Sequence, residues 1–138
     1  MNIQIEPLSS DDLRKYFIEA KIFNNPYFFN ERINKLSANA CFVTVRNNEK
    51  IIALIAYYMN IKPLCYITHL SVLESFRRRG IATRMLHYLE KEALSKGFSL
   101  MKLEVKKDNY QALNLYQQNH FTILENNNNS GYYMEKQL

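Results

Sequence analysis

From residue 65 to residue 105 the apolar pattern changes period twice, and each change limits what the chain can become. "CYITHLSV" is apolar and rich in strand formers, which suits a strand. From about Arg79 to Lys96 the apolar residues recur at helical spacing, with Ala82, Met85, Leu86, Leu89 and Ala93 on one side. Gly97 follows as a natural stop, and "FSLMKLEV" returns to strand character. A strand, an amphipathic helix and a second strand in that order call for a sheet with the helix laid on it.

The remaining segments extend that sheet. "NIQIEPL" alternates up to Pro7 and reads as a short first strand. "SSDDLRKYFIEAKIF" reads as a helix capped by Ser9 or Ser10, with two acids in its first turn and a stripe of Leu13, Phe17, Ala20 and Phe23. Asn25-Pro26 favours a turn, and a short second helix is expected over 29–37. "CFVTV" and "KIIALIAYYMN" flank "RNNE" as the strands of an antiparallel hairpin. Beyond residue 105 come a short helix ("NYQALNLYQQN"), a strand ("HFTILE"), the polar loop "NNNNSG" and a last strand ("YYMEKQ"). Hairpins followed by crossovers imply a mixed α/β sheet covered by helices. With no internal repeat, 138 residues suit one domain over 1–138.

The chain carries a formal net charge of +5, and the excess is local. Between Arg77 and Lys107 stand nine basic and three acidic residues; elsewhere acids slightly outnumber bases. Such a focused positive field favours an anionic ligand. Cys41 and Cys65 lie far apart in apolar runs and read as buried, reduced thiols of a cytoplasmic protein. The opening "MNIQIEPLSSDD" lacks the pattern of a secretory signal, and the longest apolar run, "IIALIAYYM", is too short to span a bilayer as a helix.

The centre of the charge is "ESFRRRGIATRML", residues 74–86. A basic turn that feeds a helix turns free backbone N–H groups towards one point, where the helix dipole also favours negative charge. Gly80 lets the backbone approach phosphate oxygens, Ala82 keeps the next turn uncluttered, and Arg77, Arg78 and Arg79 add charge at the rim. Neither GxxxxGK[ST] nor GxGxxG is present, which excludes a P-loop and a dinucleotide fingerprint.

Arg77-x-x-Gly80-x-Ala82 at a strand-to-helix junction resembles the acyl-CoA signature of the GNAT superfamily of N-acyltransferases. Downstream, "LEVKKDNYQALNLYQQNHF" is similar to a second segment of that superfamily, with Asn109, Ala112, Leu115, Tyr116 and Phe121 in register. His120 departs from it, standing where the family usually has glycine, and Asn119 is expected to supply the left-handed cap instead. The resemblance covers roughly residues 66–121. It implies an α/β (α+β) domain with a mixed, mostly antiparallel sheet of six to seven strands, helices on both faces and splayed central strands. It also implies acetyl-CoA as co-substrate, no metal, and a primary amine of a small molecule or peptide N-terminus as acceptor. A homodimer is left open, while nucleic acid and membrane are not expected partners.

By the same resemblance the cofactor contacts are Leu70, Ser71 and Val72 on the strand, Arg77 to Thr83 including Ile81 in the turn and helix start, and Asn109 with Tyr116. Tyr116 matches the family tyrosine that aims its hydroxyl at the CoA sulfur as general acid; an amphipathic core tyrosine is the plainer alternative. Glu104 matches a glutamate that deprotonates the amine in ribosomal-protein alanine N-acetyltransferases, against the alternative of a strand glutamate paired with Lys102 or Lys106. His69 ranks behind Glu104 as the base, and His87 reads as surface. Histidine and cysteine spacing offers no metal motif. The rivals are a catalytically silent CoA-binding module, which Tyr116 argues against, and a nucleic-acid binder, which would interleave aromatics with its bases.

Overall fold

A computed structural model describes residues 1–22, 26–124 and 130–138, the side chains of 26–28 excepted. The expected roles of Phe23, the Asn25-Pro26 turn and most of the Asn-rich loop lie outside the described residues. Seven strands and four α-helices follow in the order β1 (Asn2–Ile5), α1 (Ser10–Glu19), α2 (Pro26–Asn39), β2 (Cys41–Asn47), β3 (Lys50–Ile61), β4 (Leu64–Val72), α3 (Ile81–Ser95), β5 (Leu100–Lys106), α4 (Tyr110–Gln118), β6 (Thr122–Ile123) and β7 (Gly131–Gln137). They build one mixed sheet in the order β1-β2-β3-β4-β5-β7-β6. Only β4 and β5 run parallel, because α3 carries the chain back between them. The mostly antiparallel α/β architecture expected from the sequence is the one observed.

Local chemistry explains the element ends. Ser9 caps α1, its hydroxyl accepting from the Asp12 amide at 3.1 Å, with Asp11 and Asp12 against the positive end of the dipole. Gly97, at φ +84°, ends α3, and the Phe98 amide returns to the Ala93 carbonyl at 2.8 Å. Helix α2 is longer than the expected 29–37, since Pro26 serves as its first residue, where a missing N–H costs nothing. "HFTILE" yields only the two-residue β6.

Strand β3 lies inside the sheet between β2 and β4, with Ile51 to Tyr57 all buried, so both faces of the sheet there are covered. On one face α3 buries Ile81, Met85, Leu86, Leu89 and Ala93, each larger side chain contributing about 1.5–3 kcal/mol of apolar burial. Lys136 of β7 reaches Glu90 of α3 on that side at 2.5 Å. On the other face lies α1, whose Phe17 ring meets His69 of β4 edge-on at 5.0 Å between centroids.

One irregularity decides which side chains of β4 face which way. Ala56 pairs with His69 but Tyr57 pairs with Ile67, so Thr68 is an extra residue bulged out of the ladder. Strict alternation would send Tyr66, Thr68 and Leu70 to one face. The bulge shifts the phase, and His69 and Ser71 share the α1 face with Tyr66 while Leu70 and Val72 turn to the α3 face.

Candidate active site

The parallel pairing of β4 with β5 runs from Leu64↔Leu100 to Ile67↔Leu103 and ends there, although β4 continues to Val72 and β5 to Lys106. Past that point the two strands separate and leave a wedge between them. The Leu73 amide bonds the Ile52 carbonyl at 2.9 Å, so by antiparallel alternation the amides of Val72 and Leu70 point away from β3, into the wedge. The Ser71 amide belongs to the ladder.

The wedge opens into a cleft of about 570 Å³ between the end of β4, the turn before α3, and α4. Of the residues expected to hold the cofactor, Leu70, Ser71, Val72, Arg77, Arg78, Gly80, Ile81, Ala82, Thr83 and Asn109 line it together. Gly80 is the N-cap of α3 at φ +75°, and a Cβ there would meet no atom within 4 Å, since the position faces the open cleft. Ser9 and Asn109 cap α1 and α4 with side-chain oxygens, but no side chain caps α3. The first amide of α3 to find a helical carbonyl is that of Arg84, bonded to Gly80 at 3.1 Å. The amides before it form a bare, electropositive end that fits a diphosphate.

The three arginines have separate places. Arg77 donates through Nε to the Val72 carbonyl at 2.9 Å, fastening the turn to the strand end. Arg78, itself at φ +64°, lines the cleft. Arg79 does not line it: its guanidinium lies over the Phe76 ring at 5.3 Å and one Nη donates to the Ser75 carbonyl at 3.3 Å. Asn109 accepts from the Ala112 amide at 3.1 Å through Oδ1, which fixes its side chain against the start of α4.

The Acetyltransferase (GNAT) family model matches residues 5–121. The chain belongs to the GNAT acetyltransferase family. No curated protein sequence matches it significantly. Among solved structures, the PaiA N-acetyltransferase of Thermoplasma acidophilum, crystallised with coenzyme A, is 20% identical over 100% of both chains with a TM-score of 0.83. An aminoglycoside 6'-acetyltransferase of type Ii is 19% identical, covering 99% of this chain and 97% of its own, with a TM-score of 0.82. The ribosomal-protein alanine N-acetyltransferase of Escherichia coli is 18% identical, covering 99% of this chain and 94% of its own, with a TM-score of 0.77. At such identities these likenesses speak for the fold.

The two candidate catalytic residues of this GNAT domain stand apart from the cleft lining. Tyr116 is buried, its ring edge-on to Phe121 at 5.6 Å. Burial pushes its phenol above the ordinary range, so it stays protonated. No described side chain or carbonyl partners its hydroxyl, and no fully buried side-chain oxygen goes unpartnered, so that hydroxyl keeps a sliver of open surface. Glu104 is exposed on the α1 face of the sheet, across from Tyr133 and within electrostatic reach of Tyr66. It is the first residue of β5 beyond the last β4 pair, at the mouth of the wedge. Lys102 lies over the Tyr133 ring at 5.5 Å.

His120, not Asn119, takes the left-handed conformation after α4, at φ +72°. Asn119 instead joins two helices. Buried, it donates through Nδ2 to Thr83 Oγ1 at 3.2 Å and to the Leu115 carbonyl at 2.9 Å, tying α4 to the first turn of α3. Left-handed geometry costs a non-glycine residue about 1–2 kcal/mol.

A hydrogen-bonded chain on the α1 face has no counterpart in the sequence pattern. His69 Nε2 lies 2.8 Å from Ser71 Oγ, which lies 2.7 Å from the Tyr16 hydroxyl; that hydroxyl also donates to the Ser71 carbonyl at 3.1 Å. Burial raises the Tyr16 phenol to about 12, so it holds its proton. Burial, with a smaller contribution from Arg32, lowers His69 from 6.5 to about 4, so the imidazole is neutral. The spacing Leu13, Tyr16, Phe17 is the available signal that Tyr16 faces inward.

A pH dependence of stability follows. A histidine with a folded pKa below its unfolded one stabilises fully above about 6.5. That contribution is lost as the pH falls towards 4, on the order of 2–3 kcal/mol in all. His69→Gln, which keeps a polar group near Ser71 without titrating, is expected to flatten the stability profile in that window. Chemical denaturation at stepped pH measures it, and parallel profiles for both proteins would refute the assignment.

Proposed function

We propose that this chain is an acetyl-CoA-dependent N-acetyltransferase, a single domain that transfers the acetyl group directly to a primary amine of a small molecule or a peptide N-terminus. The observation that carries the reading is the wedge between β4 and β5, ending on the uncapped start of α3. The amides of Ile81, Ala82 and Thr83 and the guanidinium of Arg78 suit the phosphates, and the wedge suits an extended pantetheine arm. Acetyl-CoA, when bound, supplies an acyl group already activated as a thioester.

The protein's own groups serve the rest of the reaction. Leu70 and Val72 amides, aimed into the wedge, polarise the thioester carbonyl. Glu104, at the mouth, takes the proton that the ammonium must lose before nitrogen attacks. Tyr116 donates a proton or hydrogen bond to the departing sulfur. One C–N bond forms, one C–S bond breaks, the amine gives up a proton and the thiolate gains one. His69, whose Nε2 already meets Ser71, serves here as a fixed neutral support. Cys65 is buried as expected, whereas Cys41 is exposed at the start of β2, and two free thiols suit a reducing, cytoplasmic setting.

The test is melting temperature with and without acetyl-CoA, followed by thiol release against amines and peptides. At a hundred times its dissociation constant the ligand stabilises the fold by about 2.7 kcal/mol. Stabilisation with thiol release supports the proposal. Stabilisation with no release across the panel would leave a CoA-binding module, and no stabilisation would overturn the reading.

A further inference from the structure

A second cleft, of about 470 Å³, opens on the other side of β4. Its walls carry Arg32, Lys35 and Asn39 from α2, Tyr58 and Asn60 from β3, and Thr68 from the bulge. Two cations line it and no acid does. Neither Arg32 nor Lys35 has a carboxylate partner among the described residues, whose ion pairs all involve other bases. One Arg32 Nη lies 3.5 Å from the Thr68 carbonyl, which holds the guanidinium at the cleft wall with most of its donors unused.

Position links this cleft to the transfer site. Thr68 lines the second cleft and Leu70 lines the first, and two residues of strand span about 7 Å. Tyr58 pairs with Tyr66, on the sheet face that also carries His69, Ser71 and Glu104. The face therefore has two uncompensated cations on the α2 side and a carboxylate at the wedge. A molecule that carries a cationic amine and an anion complements both.

Building on the proposed N-acetyltransferase reading, we infer that the acceptor is a primary amine bearing a carboxylate or phosphate, whose anion sits between Arg32 and Lys35 while the amine reaches the wedge. Polycationic amines are disfavoured, because Arg32 and Lys35 repel their additional charges.

The experiment uses the full chain saturated with acetyl-CoA and reads thiol release. The probes are γ-aminobutyrate and its amide, Ala-Glu and Ala-Gln peptides with blocked C-termini, spermidine and kanamycin. We expect KM for an anionic probe to be at least about tenfold below that of its uncharged counterpart, with the polycations poorest. Whichever anionic probe is preferred identifies a free small molecule or a peptide as the source. Arg32→Gln is expected to erase most of that preference, Lys35→Gln to weaken it, and Arg32→Lys to restore part of it, with KM for acetyl-CoA at the wild-type value throughout. Equal KM for charged and uncharged probes, a lower KM for spermidine or kanamycin, or no turnover of any probe while acetyl-CoA still raises the melting temperature would each overturn the inference. Failure of acetyl-CoA to bind would instead overturn the functional reading on which it rests.

Discussion

Replacing Gly80 by aspartate is expected to take acetyl-CoA affinity below detection while the domain still folds. A side chain at this position meets no protein atom, so the substitution does not collide with the core. Its φ of +75° is strained for other residues, but aspartate is among those that tolerate it, at a cost of about 1–2 kcal/mol. The carboxylate would stand over the bare amides of Ile81 to Thr83 and fill the place of a phosphate, turning a favourable helix-dipole contact into repulsion. Gly80→Asn is the control, since it has similar backbone tolerance and bulk without the charge, and its affinity should fall less. Isothermal titration of both variants, with circular dichroism to check folding, measures the effect. Wild-type affinity in a folded Gly80→Asp protein would place the diphosphate elsewhere.

Tyr116→Phe is expected to lower kcat by about 10²-fold, the lower end of what a general acid contributes, with KM for acetyl-CoA little changed. The distinguishing sign is stability. The Tyr116 hydroxyl has no hydrogen-bond partner within the described protein, so its removal deletes no internal bond, and the ring remains against Phe121. A melting temperature at or slightly above wild type, together with the fall in kcat, identifies a hydroxyl whose partner arrives with the substrate. Loss of stability with unchanged kcat would return Tyr116 to the core.

The sequence makes some of this arrangement legible because local rules govern it. A glycine before an amphipathic helix announces a bare helix start from spacing alone, whereas Asn109, read only as a cofactor contact, is shown by the structure also to cap α4. The bulge at Thr68 cannot be read that way. Alternation along "CYITHLSV" groups Thr68 with Tyr66 and Leu70, and only the pairing with β3 reveals the extra residue that turns His69 and Ser71 to the α1 face. The Tyr16–Ser71 contact spans 55 positions, and no local period encodes it. Arg79 shows the reverse error: charge beside a glycine suggests a ligand contact, but a nearer aromatic ring, Phe76, holds the side chain. Asn119 reads in sequence as a backbone device, although its buried amide joins two helices.

The bulge also separates two kinds of inheritance in one strand. Beyond Thr68, the main-chain amides of Leu70 and Val72 point edgewise into the wedge, and these are the same whatever residues occupy the positions. The side chains of His69 and Ser71 project instead towards α1, where they meet Phe17 and Tyr16 and identity is everything. Point substitution at 69 or 71 can therefore rebuild the contacts with α1 while the main-chain amides of the wedge stay as they were. A one-residue deletion at the bulge would remove the unpaired residue and return the strand to plain alternation, leaving His69 opposite Ala56 and each face as it was. Such a strand carries one residue that its ladder does not need, and can lose it without exchanging its faces.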